Sequence, residues 1–409
     1  MRSFSVIALD QPVRAQRVIE QRTMPRPTAR ARLDSIDLLR GLIMVLMVLD
    51  HTRDFFGISA MNPRDVHDPA LFLTRWVTHF CAPIFIFLAG LSAFLYGTRG
   101  RTRQEVSLFL FTRGAWLVLL ELTVVLFGWT FDPAFNFFVL QVIWAIGWSM
   151  IALAALIHLP RVALAALALS MIAGHNLLDS VRAEQLHGFA PLWLLLHEPG
   201  FLQPTPGIKV LAVYPLVPWI GVMAAGYAFG PVMTFPERQR RRWLIGTGVS
   251  LVGVFVVLRA LNVYGDPVAW QPSASWSASV LSFINCEKYP PSLLYLAMTL
   301  GPGLIALALF ENVRGRLAGW LITFGAAPFF YYIVHIYLIH VVAIAAAAFA
   351  GADLAWLFQD PIGTKPNGYG VSLPLIYVLW FAFLLALYPL CRWFAALKQR
   401  RHDWWLSYL

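Results

Sequence analysis

The sequence predicts an all-α fold, a polytopic membrane bundle of about ten transmembrane helices with both termini cytoplasmic. Three observations predict it. The 409-residue chain is 59% hydrophobic and only 13% charged, with a mean hydropathy of +0.66, whereas a soluble domain carries roughly 25% charged residues. Apolar stretches of about 20 residues, the length needed to cross a hydrocarbon core, recur along it. The basic residues fall in alternate connections between those stretches, as positive-inside orientation requires.

The apolar stretches lie near 36–52, 76–97, 107–130, 136–158, 161–178, 209–232, 243–262, 291–311, 320–349 and 372–394. Tyr214-Pro215-Leu216-Val217-Pro218-Trp219 predicts a bent start to the sixth. Broken helices often line sites, although a structural kink explains the prolines equally well. The ninth is too long for one straight crossing. Within it, Gly325-Ala326-Ala327-Pro328 predicts a short lead-in helix before the crossing itself, because proline breaks or kinks a helix. No repeat or low-complexity segment is visible.

Charge orients the bundle. Eight arginines precede or begin the first span, ending at Arg40. Arg99, Arg101, Arg103 and Arg113 flank the second connection, Arg161 follows the fourth span, and Arg238, Arg240, Arg241 and Arg242 follow the sixth. Arg314 and Arg316 follow the eighth, and Arg392, Lys398, Arg400 and Arg401 close the chain. The opposite connections keep only Arg53, Arg64, Arg75, Arg182, Lys209, Arg259, Lys288 and Lys365. The net charge of +10 is therefore a topology signal, and no nucleic-acid partner is expected. Residues 1–33 read as a cytoplasmic basic tail, 34–395 as the transmembrane domain and 396–409 as a cytoplasmic C-terminal tail. The tail lacks the apolar core of a signal peptide. A mitochondrial presequence is its alternative reading, against which Asp10 and Glu20 interrupt the basic run. Cys81, Cys286 and Cys391 are scattered and form no CxxC, so neither a disulfide framework nor a zinc site is implied. Three long connections, near 53–75, 179–208 and 263–290, lie on the extracytoplasmic side and carry mixed aromatic and polar residues, a pattern that goes with function.

Arg40 and His51 stand eleven residues apart on the first span. At 100° per residue they return to one face, roughly 16 Å apart along the axis. A guanidinium and an imidazole on one membrane face are costly unless they line a polar cavity. The alternatives are an Arg40 that snorkels or pairs with Asp37, and an interfacial His51. Asp50, adjacent to His51, is placed to orient it. His79 opens the second span at the same membrane level and makes a plausible acid/base pair with His51. Two histidines would also supply half a metal site, but no carboxylate at ligand spacing accompanies His79, and no metal is expected. His335 and His340 lie about 140° apart within the ninth span, so at least one should face the interior. Tyr331 shares the His335 face. His67 in the first loop reads most simply as a solvated histidine. No Walker loop, GxSxG elbow or HExxH occurs.

Asp34-Ser35-Ile36-Asp37-Leu38-Leu39-Arg40-Gly41, the hydrophobic run to Asp50-His51, and Pro83-Ile84-Phe85-Ile86-Phe87-Leu88-Ala89-Gly90 resemble the start of the heparan-alpha-glucosaminide N-acetyltransferases. They resemble still more the bacterial relatives of these enzymes within the transmembrane acyltransferase superfamily. Tyr214-Pro215-Leu216-Val217-Pro218-Trp219 and Tyr331-Tyr332-Ile333-Val334-His335 are similar too, so span order agrees over nearly the whole chain. The Arg40–His51 spacing is also similar to that in acyltransferase family 3, where both residues matter for function. One departure stands out. The heparan enzymes carry their catalytic histidine in the loop before span two, with an Asn at the end of span one. Here His51 fills the Asn position, and the loop histidine, His67, aligns only across a gap. Either His51 has taken the catalytic role, as the family-3 spacing favours, or His67 keeps it.

The resemblance implies transfer of an acyl group, usually acetyl from cytoplasmic acetyl-CoA, to an extracytoplasmic sugar or glycolipid. Arg40, Arg99, Arg101 and Arg103 would meet the nucleotide. His51 would deprotonate the acceptor with help from Asp50 and from His79 or His335, and an acetyl-histidine intermediate is the other route. Expected partners are membrane lipid, acetyl-CoA and the carbohydrate acceptor, with a homo-oligomer as a further option. The expected location is a bacterial inner membrane. A transporter or flippase is the competing class, since intramembrane His/Arg pairs and broken helices serve it too. The chain shows no halves of matching hydropathy to support it.

Overall fold

The computed structural model describes residues 29–401 and Asp403. Residues 1–28 and nearly all of 402–409, the bulk of the two expected tails, lie outside the described residues. The fold is an all-α membrane bundle, as the composition requires: backbone N–H and C=O groups in hydrocarbon must find partners within their own segment. Among the described residues, eight helical segments are long and apolar enough to cross a membrane, beginning with Pro69–Gly97 and ending with Leu373–Arg400. Each overlaps one of the apolar stretches above. The first stretch forms α1 (Ala29–Phe56), apolar in the middle but charged at Arg40, Asp50, Arg53 and Asp54.

The succeeding helices are α2 (Pro69–Thr78), α3 (Cys81–Gly97) and α4 (Arg103–Leu120). The last continues through a π-turn at Glu121–Val125 into Leu126–Thr130. Then come α5 (Val142–Leu156), α6 (Arg161–Gly174), α7 (Leu216–Phe229), α8 (Glu237–Leu261) and α9 (Leu293–Leu309). The lead-in helix α10 (Arg316–Gly325) precedes α11 (Pro328–Phe349), and α12 (Leu373–Arg400) closes the bundle. Pro328 opens α11, so the ninth stretch divides where the sequence predicts.

Two stretches are shorter as helices than expected. Phe137–Leu140 is strand β1, which pairs in parallel with β3 (Ile208–Ala212), and β3 pairs antiparallel with β2 (Gly200–Thr205). Residues 137–140 and 209–212 therefore do not belong to spans four and six. Both segments are too short to cross a membrane, and between β2 and β3 Gly207 takes a positive φ of 90°, which a tight turn favours in glycine. Pro215, immediately before α7, ends the strand segment and fixes where the helix starts.

Helix α1 is central, packing against α2, α3, α9, α10, α11 and α12. Its closest crossing is with α10. A Cβ added at Gly41 would stand 1.8 Å from the Leu321 carbonyl oxygen, and one at Gly325 the same distance from that of Asp37. Only glycine allows the two backbones this close, and the crossing carries the side chain of Arg40 to the end of α10. Trp380 of α12 donates its indole N–H to the Val45 carbonyl at 2.9 Å, tying a third helix to α1.

The sidedness can be tested simply, because Cys81, Cys286 and Cys391 are free and buried. A cysteine at exposed Val268 should react with an impermeant thiol reagent applied to intact cells, and one at exposed Arg242 should not. Labelling of both from the same side would overturn the orientation.

Candidate active site

A cavity of about 780 Å³ runs along one face of α1. Asp37, Arg40, Met44, Met47, His51 and Asp54 all line it, and their three- and four-residue spacing puts them in one helical stripe. From Asp37 to Asp54 the stripe is roughly 25 Å long, most of a hydrocarbon core. The cavity has three zones. At the end beside the basic connections it is lined by Asp37, Arg40, Arg99, Arg113 and Lys398. The middle is apolar, walled by Met44, Met47, Phe85, Leu117, Ile146 and Met150. At the loop-rich end stand Asp50, His51, Arg53, Arg75, Tyr214 and Lys288.

Arg40 is held firmly. Its Nη1 donates to Asp37 Oδ1 at 2.8 Å and to the Gly325 carbonyl at 3.1 Å, and its Nη2 to Ser92 Oγ at 3.3 Å. The pairing with Asp37 and the cavity position therefore hold together: the carboxylate balances the charge while the guanidinium forms the wall.

His51, 9% exposed, meets His335 of α11. The two rings lie parallel within 5°, and His51 Nδ1 is 2.7 Å from His335 Nε2. His335 Nδ1 is 2.9 Å from the Tyr331 carbonyl oxygen. A carbonyl can only accept, so His335 carries its proton on Nδ1 and offers the Nε2 lone pair. His51 must then donate from Nδ1, which leaves its own Nε2 unprotonated. One backbone carbonyl, one turn back on α11, thus sets the tautomers of both rings. Trp129 stands edge-on to His51 at a centroid distance of 4.9 Å and Tyr332 at 6.1 Å, which walls the ring and leaves it little freedom.

The other expected residues are placed differently. Asp50 lines the cavity but does not orient His51: its Oδ1 accepts from Arg53 Nη2 at 2.5 Å and from Thr78 Oγ1 at 2.9 Å, because adjacent helical positions diverge by 100°. His79 does not reach His51. It caps the end of α2, fully buried against Tyr295 and away from the cavity wall. His67 is exposed in its loop. Arg99 reaches the cavity, whereas Arg101 lies over the Tyr96 ring, 4.3 Å from its centroid, and Arg103 opens α4 outside the wall. His340 lies 2.9 Å from both the Gly128 and Leu357 carbonyl oxygens through its two nitrogens, a tie between segments. Among the described residues no group of three or more His, Cys, Asp or Glu could hold a metal ion.

Several lining residues escape a reading of the sequence. Arg113 and Lys398 count there only as topology charges. Arg75 likewise counts there only as a charge, Tyr332 enters only within the span-nine resemblance, and Trp129 has no local signature. The connection at 360–363, which also lines the loop-rich end, is not one of the three long loops singled out. Buried Glu121 could have been found, as a carboxylate inside an apolar span. It sits at the π-turn of the α4 segment and accepts the Gln141 backbone N–H at 2.9 Å, fixing the approach to α5.

A cavity joining a cationic end to an imidazole with a free lone pair suits group transfer across a membrane, and comparison with known families is decisive. Residues 32–264 match the family model described as heparan-alpha-glucosaminide N-acetyltransferase, catalytic. The chain belongs to this family. The match takes in Arg40, His51, Arg75, Arg99, Arg113 and Trp129. It stops before α9, so the other wall of this acetyltransferase-type site, with Lys288, Tyr332 and Lys398, and the His335 that backs His51, come from beyond the matched region. No curated protein matches the chain. Family and fold together mark a transferase, an integral membrane protein of the transmembrane acetyltransferase kind.

Proposed function

We propose that this protein transfers an acetyl group from cytoplasmic acetyl-CoA to an extracytoplasmic sugar or glycolipid, with His51 as general base. The observation that carries the reading is the tautomer chain: Tyr331 and His335 leave His51 Nε2 unprotonated at the wall of a cavity whose far end is cationic. The residues fit the donor. Arg40, Arg99, Arg113 and Lys398 suit its phosphates, and the methionine-rich middle suits a flexible, largely apolar arm. As the acceptor oxygen or nitrogen bonds to the acyl carbon and the carbon–sulfur bond breaks, His51 Nε2 takes the acceptor proton and then returns it to the leaving thiolate. His335 Nε2 accepts from the His51 Nδ1–H throughout, holding the ring in position. Asp50 shares Arg53 with Asp54 and accepts from Thr78, so the base works beside a carboxylate already engaged in an ion cluster.

Donor binding tests the cationic end. Purified protein should bind acetyl-CoA with a dissociation constant in the low-micromolar to millimolar range of substrates. Arg40→Ala should weaken that binding about tenfold or more, the worth of a charged hydrogen bond. Arg99→Ala, at an exposed position, should weaken it a few-fold with thermal stability unchanged. Titration calorimetry on both variants measures this, and a wild-type protein that neither binds acetyl-CoA nor is stabilised by it would defeat the reading.

A further inference from the structure

His340 has one acceptor more than a neutral histidine can serve. Its Nδ1 lies 2.9 Å from the Gly128 carbonyl oxygen and its Nε2 lies 2.9 Å from that of Leu357. A carbonyl can only accept, so each contact is a hydrogen bond only where the ring nitrogen carries a proton. Neutral imidazole carries one proton, and its other nitrogen then turns a bare lone pair on a carbonyl oxygen. Only the imidazolium makes both bonds.

The surroundings suit the charged ring. Gly128 lies in the last turn of the helix that runs on from α4, and Asp132 gives its N–H to Thr130 Oγ1 at 3.3 Å. Unsatisfied carbonyls at such a helix end favour a cation. The Phe131 ring stacks on the imidazole at a centroid distance of 4.2 Å, and Phe55 of α1 stands at 4.9 Å, and an aromatic face attracts a cation. Tyr337, one turn back on α11, spends its hydroxyl on the Val124 carbonyl at 2.8 Å, and His335 turns to His51. The charges on the packed elements are engaged elsewhere. Asp54 pairs with Arg53, and Lys365 donates to the Asp54 and Gly57 carbonyls. Asp132, Asp353 and Asp360 accept the backbone N–H groups of Ala134, Ala355 and Gly363.

The two carbonyls belong to two walls of one cavity. Gly128 precedes Trp129 and Thr130, which line it beside His51. Leu357 leads into Asp360-Pro361-Ile362-Gly363, which line its loop-rich end. The two walls are not held alike. Gly128 is wedged against α11, where an added Cβ would stand 2.6 Å from Tyr337 Cε2. Leu357 sits in a short turn, Ala355–Phe358, within the connection from α11 to α12. A neutral His340 therefore keeps Gly128 and gives up Leu357.

We propose that His340 is a proton-operated latch on the loop-rich end of the cavity. As the imidazolium it ties the 357–363 connection to the wall that carries Trp129, and on losing a proton it lets that connection go. Lower pH closes this end and higher pH opens it. The inference rests on the acetyl-transfer reading only for what the opening serves, the acceptor's access to His51.

Full-length protein carrying nitrogen-15 histidine is followed in lipid bilayers by solid-state NMR from about pH 5 to about pH 8, the range in which histidine changes charge. The His340 signal is the one missing from His340→Gln. Its two nitrogen shifts, far apart in the neutral ring, should converge to the imidazolium pattern as the pH falls. A spin label on Ile362→Cys, a half-exposed position on the cavity wall, reports on the connection, with the unsubstituted protein as blank for the three buried cysteines. The label should be slowed at the acid end with the same midpoint. In His340→Gln, whose side chain does not titrate, its motion should be independent of pH, and His340→Asn takes its place if that variant does not fold. The latch is overturned if His340 keeps one charge state across the range, if the label does not respond to pH, or if the response survives without the histidine. Neither measurement involves acetyl-CoA. A failed latch therefore leaves the transfer reading as it is, and a protein that does not bind acetyl-CoA leaves the latch standing.

Discussion

His51→Ala should lower the rate of acetyl transfer by about 10²–10⁴, the usual worth of a positioned proton acceptor. The more informative substitution is His51→Asn, which places at the end of α1 the residue type expected there by resemblance to the heparan enzymes. Asparagine keeps a polar group against Trp129 and His335 but cannot take a proton, so it should fail almost as badly as alanine. His67→Ala, at an exposed loop position, should stay near wild type. Steady-state kinetics on the three variants decides the matter. An active His51→Asn beside a dead His67→Ala would move the catalytic role to the loop, and full activity in both would reduce His51 to packing.

Breaking the tautomer chain should have the next largest effect. His335→Phe keeps an aromatic ring beside His51 but removes the acceptor at Nε2. The His51 Nδ1–H then loses its partner, and the ring is free to carry its proton on Nε2, where it cannot act as a base. A loss of about 10²-fold in kcat is expected, within the range for removing the group that orients a catalytic histidine, with binding of acetyl-CoA unchanged. His335→Gln should recover part of that loss, because an amide oxygen can accept the same hydrogen bond. His335 is thus a positioning residue, and a purely structural role predicts no such rescue. Equal activity of His335→Phe and wild type would remove it from the mechanism.

Both experiments turn on a pairing that local sequence signals could not reveal. The eleven-residue spacing of Arg40 and His51 follows from helical geometry alone, and both side chains do line one cavity. His51 and His335, however, are separated by 284 positions. Nothing in the 3.6-residue period of either helix says that they touch. Reasoning from topology pairs His51 with His79, because both sit near one membrane level, and leaves His335 only as an alternative helper. The structure turns His79 into the packed interior between α2 and α9. Level in the membrane is a one-dimensional constraint. Which helices are neighbours, and how each is rotated, depends on crossings such as that of Gly41 and Gly325.

Sequence by itself determined the membrane class, the apolar stretches, the break before Pro328 and the cavity-facing stripe of α1, because hydrophobic length, proline chemistry and helical period are properties of contiguous residues. It also carried the family, through short motifs around Arg40, His51 and Pro83. Tertiary structure alone decided that Asp50 answers to Arg53 and Thr78, that Arg113 and Lys398 join Arg40 around one cavity end, and that Lys288 and Arg75 line the same cavity as the base. It also made strands of residues 137–140 and 209–212, whose mostly apolar side chains suit a helix or a strand equally well. Their backbone polar groups bond to one another only because the fold sets them side by side. Contacts of this kind are made between segments far apart in the chain, and their energies depend on packing that no local pattern encodes.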